Sequence, residues 1–118
     1  MDSSLATSQW YGESLYLPFQ DAGIPEIQEL NVLPALRRRR VATALMDEAE
    51  ALIRTRSKVA GIGVGLYADY GAAQVLYVRR GYVPDARGVA YEFGPIEPGA
   101  TVRLDDDLNL MLTREFNC

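Results

Sequence analysis

The feature that most constrains this fold is a helical pattern enclosed by two strand-like segments. Between residues 38 and 56, apolar side chains recur at helical spacing and form one stripe: Val41, Ala44, Leu45, Ala49, Leu52 and Ile53. Residues 26–33 alternate and end at Pro34, which restricts the preceding residue to extended backbone. Residues 59–66 are apolar and rich in glycine, which is typical of a buried strand. The order predicts a parallel strand pair joined by a right-handed helical crossover.

The remaining segments extend this pattern to an α/β fold. Residues 72–80 predict a second helix ended by Gly81, and residues 89–93 and 108–113 predict two further strands. Residues 10–19 are aromatic and suggest an interrupted edge strand, and residues 20–25 have turn composition. Within the first helix, Glu50 precedes Arg54 by four residues, a spacing that favours an ion pair. We expect one domain over residues 1–118, with a poorly defined segment at 1–25.

Composition excludes several kinds of chemistry. The chain has no histidine, so Ser-His-Asp and Cys-His catalysis and the commonest zinc ligand are absent, and we expect no metal. The single cysteine, Cys118, cannot form an internal disulfide. No signal-like start and no long apolar window occur, which indicates a soluble cytoplasmic protein with no membrane partner.

Four consecutive arginines, residues 37–40, stand at the start of the predicted helix. The helix dipole disfavours cations there by about 0.3–1 kcal/mol each, which indicates that an anion is bound nearby. The run has three interpretations: a solvated charge run, a nucleic-acid-binding patch or the edge of a phosphate-binding site. The net charge of -4 and the lack of interleaved aromatic residues disfavour nucleic acid. A strand that leads into an arginine-lined helix N-terminus suits a pyrophosphate, because the first backbone N–H groups have no helical partner.

Two motifs resemble those of the GCN5-related N-acetyltransferase (GNAT) family. Residues 32–46, VLPALRRRRVATALM, are similar to its acyl-CoA motif: valine, proline, Arg/Gln-x-x-Gly-x-Gly/Ala and an amphipathic helix. Residues 73–82, AQVLYVRRGY, are similar to a second motif of alanine, Leu-Tyr, three residues, glycine and an aromatic residue. Arg40 replaces the glycine of the first motif, and Tyr70 replaces an asparagine that is often found in the family. The resemblance covers residues 26–113.

The resemblance implies a GNAT-like mixed sheet whose central parallel strands splay apart and admit acetyl-CoA between them. The cofactor-binding residues that it implies are Val32, Leu33, Arg37, Arg38, Arg39, Arg40, Val41, Ala42 and Thr43. It implies an acetyl-CoA-dependent acyltransferase that acetylates a primary amine of a small molecule or protein by direct attack. Only about 25 residues precede the acyl-CoA strand, so we expect an N-terminally shortened version of that fold, with a second copy covering the exposed sheet edge.

The catalytic candidates are one tyrosine and two glutamates. Tyr77 lies where the family commonly has its general acid; the alternative is an ordinary packed tyrosine. Glu26 is the first candidate for the base and Glu29, on the opposite strand face, is the second; either is alternatively a solvated strand-end carboxylate. The run Asp105–Asp107 is a candidate for attracting a cationic amine, or else solvated. The alternative functions are a non-catalytic acyl-CoA-binding or partner-binding remnant and, more weakly, nucleic-acid binding through Arg37–Arg40.

Overall fold

The computed structural model describes residues 11–27 and 39–116, with the side chains of residues 13–27 and 43–116. The strands are β1 (Tyr11–Glu13), β2 (Pro25–Ile27), β3 (Val59–Gly65), β4 (Val83–Tyr91), β5 (Gly94–Pro95) and β6 (Leu108–Glu115). The helices are α1 (Leu17–Ala22), α2 (Arg39–Ile53) and α3 (Gly71–Arg79), and a 3-10 turn, Ala68–Tyr70, precedes α3. The predicted α/β class is therefore confirmed.

The described strands form one mixed six-stranded sheet in the order β1-β2-β3-β6-β4-β5. β2 and β3 are parallel, with Glu26 opposite Gly61 and Ile27 opposite Ile62. The helix α2 lies between them in the chain, so the predicted strand–helix–strand unit is confirmed. β6 pairs antiparallel with all seven residues of β3, and the other neighbouring strands are also antiparallel.

Alternation along β3 separates the two faces of the sheet. The even residues Ala60, Ile62 and Val64 face α2 and α3, and the core on that side also includes Ile27, Met46, Ala49, Ile53, Ala73, Tyr77, Tyr82, Leu112 and Phe116. The opposite face carries a smaller cluster of Tyr16, Phe19, Ala90 and Met111. Gly61 lies on this second face directly below Phe19, and a Cβ there would clash with the Phe19 ring. A residue without a side chain is required because α1 packs so closely on β3.

The N-terminal part of the prediction is wrong in one respect. Residues 10–19 do not form one interrupted strand, because β1 ends at Glu13 and the helix α1 begins at Leu17. Pro18 lies in the first turn of α1, where its missing N–H costs no hydrogen bond. Gly23 ends α1 in the left-handed conformation at φ 68°. Segments read as edge strand and turn therefore build a short helix over the second face.

Several element boundaries also differ from the prediction. The predicted strand 26–33 has its described part at β2, and residues 28–33 lie outside the described residues. The predicted strand 89–93 begins earlier, at Val83, and ends at Tyr91. A register shift between Pro84 and Val89 interrupts its pairing with β6, which explains why no continuous alternation marks it in the sequence.

A buried charge cluster fastens α2 to α3 and β6. Glu50 is 5% exposed and accepts hydrogen bonds from Tyr82 Oη at 2.8 Å and Arg114 Nη1 at 2.9 Å. Arg80 bonds the same carboxylate at 2.5 Å and Asp47 at 2.6 Å. The expected ion pair of Glu50 with Arg54 is therefore wrong: tertiary partners take the carboxylate, and the Arg54 guanidinium lies 5.0 Å from the centre of the Phe116 ring. None of the described helices is long and apolar enough to cross a membrane.

Candidate functional site

The frame of the candidate site is the parallel pair β2–β3 and the N-terminus of α2. Arg39 and Arg40 are the first two residues of α2, so the end of the arginine run lies in its first turn. The first N–H groups of a helix lack helical acceptors and carry partial positive charge, which suits an anion. Val41, Ala42 and Thr43 follow in the same helix.

Several predicted site residues lie outside the described residues. They are the second base candidate Glu29, the strand-end residues Val32 and Leu33, and Arg37 and Arg38 of the arginine run. The described pairing of β2 with β3 comprises the two positions at Glu26 and Ile27, so the predicted splay further along the pair stays a prediction.

Glu26 is a buried carboxyl in the middle of β2. It is 8% exposed, and burial raises its pKa, while a hydrogen bond from Ser14 opposes that rise. The solvated strand-end alternative for Glu26 is therefore wrong, because its neighbours on both sides in the sheet, Gly12 and Gly61, leave it enclosed by packed backbone. A carboxylate whose pKa is raised above its ordinary value accepts a proton more readily than an exposed one.

Ser14 is the functional candidate that the sequence did not indicate. Its hydroxyl donates to Glu26 Oε1 and accepts a 3.0 Å hydrogen bond from the backbone N–H of Tyr16. Ser14 is 1% exposed, so water does not compete for this hydroxyl. The two residues are twelve apart in the chain and meet because β1 pairs antiparallel with β2, which no local pattern reveals.

Tyr77 lies on α3 with its side chain in the main core. It is 0% exposed, its ring centre is 6.2 Å from that of Tyr82, and burial raises its pKa above the usual range of tyrosine. A tyrosine with a raised pKa remains protonated at neutral pH, so Tyr77 is suited to donate a proton and unsuited to act as a base.

Glu26 and Tyr77 lie on opposite faces of the sheet. Ile27, the neighbour of Glu26, packs in the same core as Tyr77, and alternate residues of a strand point to opposite faces. The two groups are therefore separated by the plane of β2 and β3.

The run of three aspartates is tied to tyrosines at the carboxyl end of β3. Asp106 accepts hydrogen bonds from Tyr67 and, at 2.8 Å, from Tyr70, and these bonds lower its pKa. Asp105 accepts a 2.8 Å bond from Tyr91. Asp106 and Asp107 are exposed and Asp105 is half-buried, so the solvated interpretation of this run stands, with tyrosine hydroxyls bonded to two of its carboxylates.

Tyr70, at the position of the expected asparagine, takes a packing role. A Cβ on Gly65 would clash with the Tyr70 ring, so the ring lies directly on the end of β3. The Gln74 side chain donates a 2.8 Å hydrogen bond to the Gly65 carbonyl and caps the same strand end. These two contacts fix the 3-10 turn and α3 against the carboxyl end of β3.

Among the described residues, no group of three or more acidic or sulfur-bearing side chains is arranged to hold a metal ion. Comparison with known protein families, curated proteins and solved structures gave no significant match.

Proposed function

We propose that this protein is an acetyl-CoA-dependent N-acetyltransferase that acts on a primary amine of a small molecule or protein. The observation that carries the proposal is the pair of buried groups on either side of β2–β3: the carboxyl of Glu26 on one face and the hydroxyl of Tyr77 on the other. The proposal is also supported by the parallel strands β2 and β3 and by the helix α2 that connects them, since the first residues of α2 belong to the arginine run.

The described residues fit acetyl-CoA in two respects. The N-terminus of α2 offers backbone N–H groups to a pyrophosphate, and Arg39 and Arg40 add positive charge to the same turn. By the family resemblance, Val32, Leu33, Arg37 and Arg38 complete the site.

In the proposed reaction, an ammonium acceptor loses two protons as its nitrogen bonds to the acetyl carbon and the carbon–sulfur bond breaks. Glu26 takes the first proton and later releases it to water. Tyr77 gives its hydroxyl proton to the departing sulfur and is restored by the second proton from nitrogen. The products are the acetylated amine, CoA as a thiol and one proton released to solvent.

Calorimetry with acetyl-CoA followed by a thiol-release assay over a panel of amines tests the proposal. We expect binding, and turnover that falls about 10²-fold or more in Glu26→Gln and Tyr77→Phe. Tyr82→Phe is the matched control, since it removes a buried tyrosine hydroxyl from the neighbouring ring. Absence of binding at hundred-micromolar acetyl-CoA would refute the proposal.

The second candidate is a non-catalytic acyl-CoA-binding protein of the same fold. It is favoured by the complete burial of Tyr77, which leaves this side chain no exposed surface in the described structure. Binding of acetyl-CoA without thiol release from any amine in the panel would support this candidate. If Tyr77→Phe and the parent bind acetyl-CoA equally and turn over at the same rate, the Tyr77 hydroxyl has no part in catalysis or in cofactor binding.

A further inference from the structure

The hydroxyl of Ser14 has its hydrogen-bonding direction fixed by the chain around it. The backbone N–H of Tyr16 donates to Ser14 Oγ at 3.0 Å, so that oxygen already acts as an acceptor. A serine hydroxyl has one hydrogen, and here it points to Glu26 Oε1. The contact therefore has a defined polarity: serine donates and the carboxyl accepts.

This contact leaves the two oxygens of Glu26 inequivalent. Oε1 is held by Ser14, whereas Oε2 takes no hydrogen bond from any residue in the described part of the chain. The register partners of Glu26, Gly12 and Gly61, bring no ionisable side chain to it, and Asp21, the ionisable residue of α1, is exposed. Ser14 is thus the polar group that controls this carboxyl.

We propose that Ser14 is a positioning residue that anchors Oε1 of Glu26 and presents Oε2 to take the proton of the acceptor amine. The inference rests on the proposed acetyltransferase function and adds a residue to its proton-transfer step. No bond to Ser14 is made or broken: a nitrogen–hydrogen bond of the acceptor breaks, and an oxygen–hydrogen bond forms at Oε2.

A carbon-detected NMR titration of the Glu26 carboxyl tests the anchor directly. The hydrogen bond from Ser14 favours the ionised carboxylate, so its loss in Ser14→Ala is expected to raise the titration midpoint by about one pH unit or more. Ser14→Thr retains the hydroxyl and is expected to restore the parent midpoint. An unchanged midpoint in folded Ser14→Ala, or failure of Ser14→Thr to restore it, overturns the proposal.

The pH profile of kcat/KM tests the role in catalysis. In Ser14→Ala the pKa of the acidic limb is expected to rise by the same amount as the NMR midpoint. At a pH below the limb pKa of both proteins, kcat/KM of the variant is then expected to be about tenfold lower than that of the parent. Ser14→Thr is expected to behave as the parent. If the NMR midpoint of Glu26 shifts but the acidic pKa of the kcat/KM profile does not, the positioning role is overturned and the hydrogen bond from Ser14 is only structural. A parent protein that binds no acetyl-CoA refutes the proposed function, and that result is obtained before any Ser14 variant is compared.

Ser57→Ala is the matched control for both measurements. Ser57 Oγ also accepts the N–H of the residue two positions on, Val59 at 3.1 Å, but it donates to a backbone carbonyl at 2.7 Å. The control removes the same kind of serine turn without touching a carboxyl. A shift of the Glu26 midpoint in Ser57→Ala equal to that in Ser14→Ala would show that general loosening is the cause and would overturn the proposal.

Discussion

Glu26 and Glu50 are the two glutamates buried in the described structure, and their charges are compensated differently. Glu50 receives two guanidinium groups and a tyrosine hydroxyl. Glu26 receives one serine hydroxyl, and burial raises its pKa. A carboxylate matched by cations is suited to hold elements together, whereas a weakly compensated one is suited to exchange a proton.

For Glu50 we predict a large loss of stability on truncation. Glu50→Ala leaves Arg80 and Arg114 without their shared carboxylate, and breaking a buried ion pair by removing one partner costs about 3–5 kcal/mol. Glu97→Ala, at an exposed glutamate, is the control and is expected to change stability by less than about 0.5 kcal/mol. Urea unfolding measures both, and similar losses in the two variants would contradict the prediction.

The ionisation of Glu26 is expected to make the free energy of unfolding depend on pH. Because the folded pKa is raised above the ordinary value of 4.5, the folded state holds the proton more tightly than the unfolded chain. The free energy of unfolding therefore falls as pH rises from that value through the folded pKa, and it stays lower above it. Glu26→Gln cannot ionise, so we expect it to be more stable than the parent at pH 7, with the difference vanishing below pH 4. Urea unfolding of the parent and Glu26→Gln at pH 7 and below pH 4 tests this expectation. A stability difference between the two proteins that is the same at both pH values would contradict it.

At the scale of elements, the docking of α1 on β3 depends on one missing side chain. Gly61→Ala would push a methyl group into the buried Phe19 ring, and we expect a loss of about 1–3 kcal/mol. Gly71→Ala is the control: its φ of -56° is helical and nothing lies within 4 Å of its Cβ position, so a gain of about 0.5 kcal/mol is expected. Thermal unfolding that shows Gly61→Ala as stable as the parent would mean that α1 is not fixed against the sheet.

The β4–β5 hairpin is strained at its turn. Tyr91 pairs with Gly94, and the two residues between them, Glu92 and Phe93, have φ of 51° and 65°. A two-residue turn with both φ positive favours Asn-Gly, so Glu92→Asn with Phe93→Gly is expected to stabilise the protein by about 1–2 kcal/mol. Phe93 is 46% exposed, so its removal loses little packing. Glu92→Ala keeps the unfavourable backbone and should gain nothing in the same unfolding assay; an equal gain would assign the effect to charge.

Across the whole molecule, the sequence predicted the features that rest on local periodicity. The helix over residues 39–53 and the buried strand over residues 59–65 carry a stripe and an apolar run that need no partner to be recognised. The helix α1 was missed because six residues with Pro18 near their start become helical through the packing of Phe19 on Gly61. The contact of Ser14 with Glu26 was missed for the same reason, since strand pairing creates it.

The edge of the sheet at β1 leads to a prediction about the oligomeric state. The three-residue strand β1 lies beside β2, where we expected an open edge, and it is the outermost strand on that side among the described residues. We propose that a second copy covers that edge, because the outer N–H and C=O groups of an edge strand seek partners. Sedimentation at micromolar concentration should then give about twice the 13.1 kDa of one chain, and a clean monomer would contradict it.

The position of β6 between β3 and β4 has a consequence for how the chain assembles. The strand that comes latest among those described occupies the middle of the sheet and joins β1-β2-β3 to β4-β5. Without residues 108–115, β3 has β2 as its one described neighbour, and the β4–β5 hairpin has no other described strand beside it. We therefore expect the sheet to be completed only when β6 pairs with both parts, a step that closes long loops and slows folding.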